Sequence, residues 1–71
     1  MSAALNRRLG KWLVAHGCRF ERQGKGAHEI WYSPRTQRRF VMVRTLKSHH
    51  TATAILARAG VERPAWLGGR G

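Results

Sequence analysis

The chain has almost no acid: three glutamates and no aspartate among 71 residues. A two-metal nuclease gathers several carboxylates around its ions. Glu21, Glu29 and Glu62 form no evident pair in the sequence, so metal-dependent cleavage is not expected, nor is any metal or other cofactor. Cysteine is equally scarce. A single thiol, Cys18, closes no internal disulfide and holds no zinc by itself. A reducing cytoplasm is the expected compartment. Cys18 stands where a half-buried strand should begin and reads as a small core residue. No apolar run is long enough to cross a membrane. None follows the positive charges near the N-terminus, so neither a membrane partner nor a signal peptide is expected. The length allows one domain, placed at 1–67, with residues 68–71 expected to be a disordered tail.

Positive charge is what the chain has in excess. Fourteen Lys and Arg give a formal net charge of +11. Such a surface repels itself and does nothing for the fold, so it points to a polyanionic partner. Nucleic acid and acidic protein surfaces are the first candidates, and anionic lipid a weaker third.

The apolar pattern predicts two helices around three strands. Leu5, Leu9, Trp12, Leu13 and His16 recur at helical spacing, with Arg7, Arg8 and Lys11 off the stripe. Ser2 or Asn6 is available as a cap, and Gly17 as a stop. Residues 18–23 alternate as a short strand, with Cys18 and Phe20 on one side and Arg19 and Glu21 on the other. Gly24-Lys25-Gly26 breaks it. Residues 27–32 form a second strand, with His28, Ile30 and Tyr32 on one face and Ala27, Glu29 and Trp31 on the other. Pro34 marks a turn at 33–37. Residues 38–44 form a third strand, apolar on both faces, as suits a central strand or one partly covered on its second face. After a polar connector at 45–50, Ala52, Ile55, Leu56 and Ala59 make the buried stripe of a helix over 51–59 that Gly60 ends. A tail at 61–67 is expected to pack Trp66 back on the domain. The predicted fold class is α+β: an αβββα order, a three-stranded antiparallel sheet and two helices on one face. In outline this resembles the double-stranded-RNA-binding domain.

A basic chain without acid clusters still has what metal-independent RNA cleavage needs. A base takes the proton of the 2′-hydroxyl, that oxygen attacks the adjacent phosphorus, and cations hold the phosphorane charge. Histidine titrates in the working range. His28 has the best setting: it follows Gly24-Lys25-Gly26-Ala27 at a strand start, where backbone N–H groups and Lys25 can meet a phosphate. The same position also suits a histidine packed on a sheet face beside Ile30 and Tyr32. His16 ends the first helix and reads as a partner for that helix's C-terminus. His49 and His50 read as solvated loop residues or phosphate contacts. Arg19, Arg22, Arg35, Arg38, Arg39, Arg44 and Lys47 flank the sheet in sequence and make a candidate phosphate-binding surface. Trp31 and Tyr32 are each candidates to stack on bases or to fill the core.

The segments His16-Gly17-Cys18-Arg19-Phe20, Lys25-Gly26-Ala27-His28 and Ile55-Leu56-Ala57-Arg58-Ala59-Gly60-Val61 carry a resemblance to the HicA toxins. These are small mRNA interferases with a double-stranded-RNA-binding-like fold, and the likeness runs from about Leu5 to Val61. It implies an endoribonuclease of a type II toxin-antitoxin system. It also implies His28 as catalytic acid/base, and a HicB-type antitoxin covering the active face. The RNA-binding set expected with it is Arg22, Lys25, Gly26, Arg38, Arg39, Arg44 and Lys47. The chain departs from the family pattern in two places. Ala27 replaces the usual Ser or Thr before the histidine, and the segment Arg44-Thr45-Leu46-Lys47-Ser48-His49-His50 stands where the family often has a Pro and a His after the third strand. A non-catalytic RNA-binding module of the same fold is the alternative. A DNA-binding protein is a weaker one, because strands separate the two helices and no helix-turn-helix is evident.

Overall fold

A computed structural model describes residues 2–68. Its elements run α1 (Ser2–Ala15), β1 (Arg19–Gln23), β2 (His28–Ser33), β3 (Arg38–Val43), α2 (His49–Ala59) and a one-turn α3 (Ala65–Gly68). The strands form one antiparallel sheet in the order β1-β2-β3. The predicted αβββα arrangement is therefore present, with α3 added after it.

Alternation along β2 decides which face carries the core. Trp31 pairs with Phe40 and Glu29 with Met42, and Trp31, Phe40 and Met42 are buried. Both helices lie on that face. From α1, Leu9 and Leu13 are fully buried, and Gly10 sits close over the Trp31 ring. From α2, the buried stripe is Ala52, Ile55, Leu56 and Ala59, as its spacing predicted. Each Leu or Ile side chain so removed from water contributes about 1.5–3 kcal/mol. Ser33, buried on the same face, donates its hydroxyl to the Ala59 carbonyl (2.5 Å) and accepts from the Arg35 N–H (3.2 Å). It ties the β2–β3 turn to the end of α2.

The helices run parallel to each other. Asn6, near the start of α1, donates its side-chain amide to the Val43 carbonyl, at the end of β3. Gly17, just after α1, lies against Pro34 at the opposite end of the sheet. The C-terminus of α2 likewise meets Ser33 and Thr36. Both helix N-termini therefore stand at the end of the sheet where β2 begins, at His28.

Several expectations are corrected. The central strand is β2; β3 is an edge whose second apolar face, Val41 and Val43, is open. Asn6 does not cap α1; it lies inside the helix and spends its amide on β3. The second helix starts at His49, because Ser48 caps it by accepting from the His50 N–H. Leu46, in the polar connector, is buried. Trp66 does pack back against the core, partly buried, but from the short helix α3 rather than from an irregular tail. Of the tail expected at 68–71, Gly68 closes α3 and 69–71 lie outside the described residues.

Candidate functional site

The sheet face away from the helices carries His28, Ile30 and Tyr32 from β2. Opposite them in register stand Val43, Val41 and Arg39. On the other side, Arg19 pairs with Tyr32 and Arg22 with Ile30. Arg22 reaches this face through an irregularity in β1. Phe20 pairs with Trp31 on the core side, the register then slips by one, and Glu21 is the extra residue. A β-bulge of this kind re-aims the side chains that follow it. Without it, Arg22 would point under the helices.

Glu21 is the acid of this face, and two arginines hold it. Arg39 Nε donates to Oε1 at 2.6 Å, and Arg19 Nη2 lies 3.7 Å from Oε2. The Arg39 hydrogen bond is the main reason the Glu21 carboxyl sits below its usual range, and it raises Arg39 in turn. Arg19 also places its guanidinium 4.6 Å from the centre of the Tyr32 ring. The face thus presents a tyrosine flanked by arginines at one end, an apolar middle of Ile30 and Val41, and His28 at the other end.

His28 is fixed through its backbone and free through its ring. Its N–H donates to the Lys25 carbonyl (2.9 Å), and its carbonyl accepts from the Gly24 N–H (2.9 Å) and from Gln23 Nε2 (3.2 Å). The turn depends on Gly26, whose φ of +57° is the left-handed conformation that glycine adopts at little cost. Lys25 and the His28 side chain are exposed, and the ring has no hydrogen-bond partner among the described residues. His28 is therefore not a core histidine. Trp31, by contrast, belongs to the core: it is buried, with its indole N–H donating to Glu29 Oε1 at 3.0 Å. Of the two aromatic candidates, only Tyr32 is placed to meet a base.

The candidate cations separate into two sets. Arg22 and Arg39 lie on the open face, Lys25 and Gly26 in the turn before His28, and Arg44 beside that turn, its N–H donating to the Ala27 carbonyl (2.7 Å). Lys47 is exposed in the connector that leads to α2, at the same end. Arg38 stands apart: it pairs with Ser33, on the helix-bearing side at the far end of the sheet. Arg19, named with the candidate phosphate-binding surface, belongs to the face through its pairing with Tyr32. The signal for it was its alternation with Cys18 and Phe20.

His16 is occupied on both ring nitrogens. Nδ1 meets the Trp12 carbonyl at 2.8 Å, Nε2 lies 3.4 Å from Glu62, and the ring packs on the Trp12 indole. It does partner a carbonyl of the last helical turn, and it ties α1 to the chain after α2. No group of three His, Cys, Asp or Glu side chains among the described residues is arranged to hold a metal ion. No helix among them is long and apolar enough to cross a membrane. Comparisons with family models, with curated proteins and with solved structures return no match to this chain.

Proposed function

We propose that the chain is a metal-independent endoribonuclease of the HicA toxin kind, cutting mRNA in the cytoplasm with His28 as its acid/base. The observation that carries this reading is the setting of His28. It is an imidazole with an unengaged ring, rigid at its backbone, next to an exposed lysine on a glycine turn, at the head of an open basic face. His28 takes the proton from a 2′-hydroxyl as that oxygen attacks phosphorus. Lys25 and the turn hold the phosphorane charge. The 5′-oxygen leaves and takes a proton from water, giving a 2′,3′-cyclic phosphate and a 5′-hydroxyl. Tyr32 stands four residues along the strand, about 13 Å away at ~3.3 Å per residue. It receives a base of the same strand, and Arg22, opposite Ile30, receives a phosphate between.

The resemblance also supplies a partner. A HicB-type antitoxin with an acidic surface would cover this face and silence it. The test is incubation of the purified chain with end-labelled single-stranded RNA in excess chelator. Fragments ending in cyclic phosphate are expected. Intact RNA that only shifts in mobility would leave a binding module of the same fold.

A further inference from the structure

A second basic and aromatic surface lies on the helix layer, remote from the open sheet face. Arg8, Lys11, Trp12 and Ala15 of α1 and Trp66 of α3 line a shallow groove of about 400 Å³. The groove exists because Leu9 and Leu13 turn into the core while the next flank of α1 turns out. Buried Pro64 and Leu67 then bring α3 beside that flank.

We propose that this groove binds one nucleotide of a single-stranded nucleic acid. Its base lies against the indoles of Trp12 and Trp66, and its phosphate on Arg8 and Lys11. Both indoles are held before any ligand arrives. Trp12 donates its ring N–H to the Glu62 carbonyl at 2.8 Å and packs on His16. Trp66 lies under the Arg8 guanidinium, 4.2 Å from the ring centre. A platform already fixed loses little freedom when a base stacks on it. When the base stacks, Arg8 swings off the face of Trp66 that it covers and turns its guanidinium to the phosphate.

Charge decides the sign of the occupant. Among the described residues, no carboxylate lines the groove. Glu21 is engaged by Arg39 and Arg19, and Glu29 by Trp31. Glu62, nearest to the groove, turns its carboxylate to His16 and Arg35. The occupant is therefore anionic. An acidic peptide would meet the two cations but leave two indoles without a flat partner; a nucleotide meets all four groups. This site does not depend on RNA cleavage at His28.

The test uses the full chain and hexadeoxyadenylate, which has no 2′-hydroxyl to attack. At low salt the oligonucleotide should quench tryptophan fluorescence. Trp66→Ala should weaken its binding by roughly 5- to 150-fold, the worth of one stacked base. Trp66→Phe, which keeps a flat ring, should recover most of that loss. Arg8→Gln, at an exposed position, should weaken binding and lower the salt slope by about 0.7, one phosphate contact. Circular dichroism confirms that each variant is folded, and Arg8→Gln carries the test if Trp66→Ala is not. No quenching, unchanged affinity in the folded variants, or equal quenching by hexaglutamate would overturn the proposal. Quenching by a chain that fails to cut RNA would uphold this site while removing the nuclease reading.

Discussion

Two glycines with nearly the same backbone angle should tolerate alanine very differently. Gly26 has φ +57° and Gly60 φ +70°. Putting an L side chain in that left-handed region costs about 1–2 kcal/mol. Alanine also stiffens the unfolded chain, which returns about 0.4–1 kcal/mol at either site. These two effects are common to both positions. The surroundings are not. A Cβ at Gly26 would meet nothing within 4 Å, whereas one at Gly60 would stand 2.8 Å from the Thr36 methyl, with the Arg35 Cβ at 3.5 Å. Thr36 sits in the β2–β3 turn that Ser33 ties to α2, so it has little room to yield. Crowding of that kind adds about 1–3 kcal/mol. Gly26→Ala should then cost about 1 kcal/mol and Gly60→Ala about 2–4. A domain of this length holds only about 4–11 kcal/mol in all. Thermal unfolding followed by circular dichroism reads the difference, at about 4–8 °C per kcal/mol. Equal melting temperatures for the two variants, or a lower one for Gly26→Ala, would refute the packing argument.

Glu62 should stabilise the protein above the carboxylate range and lose that contribution in acid. Its own backbone N–H, then His16 and Arg35, hold its pKa below the ordinary value. The stabilisation is therefore full above about pH 4.3 and fades as pH falls through the depressed value. Melting curves of Glu62→Gln should show a smaller drop between pH 6 and pH 3 than the parent; an identical drop would contradict this. Arg22→Gln should weaken binding of single-stranded RNA and lower the salt slope by about 0.7, while Arg38→Gln, at the far end and on the other side of the sheet, should leave both nearly unchanged. Equal losses measured by filter retention would remove the distinction between the two faces. His16→Ala should lower the melting temperature more than it lowers RNA cleavage, because both its ring nitrogens and its stacked face hold α1 to the chain after α2. A larger effect on rate than on melting would make His16 part of the site.

Much of this architecture was legible because its signals are local. The stripe Ala52, Ile55, Leu56, Ala59 and the alternation along β2 each need only a few consecutive residues. So does the grouping of Lys25, Gly26 and His28, which the chain itself places side by side. What escaped depends on pairing. The bulge at Glu21 is a property of two strands, so the flip of Arg22 to the open face could not be read from β1 alone. Alternation put Trp31 and Tyr32 on opposite faces, but only the helices decided which face was inside. The apolar second face of β3 suggested a covered strand, yet Val41 stays 38% exposed. Leu46 and Ser33 were hidden by polar neighbours: one is an isolated apolar anchor, the other a buried hydroxyl with two backbone partners. The parallel run of α1 and α2, which brings both N-termini to the end of the sheet where β2 begins, follows from tertiary contacts of Asn6, Gly17 and Ala59.

The central claim rests on one imidazole, and replacing it tests the claim most directly. His28 is exposed and its ring holds no partner among the described residues, so His28→Ala should change stability by no more than about 0.5 kcal/mol. RNA retention should persist, because distributed charge supplies it. Loss of an acid/base group slows its step by about 100- to 10,000-fold. Cleavage of labelled single-stranded RNA by His28→Ala should therefore fall at least a hundredfold, with melting temperature and retention close to the parent. Cleavage at the parent rate by a folded His28→Ala protein would contradict the account.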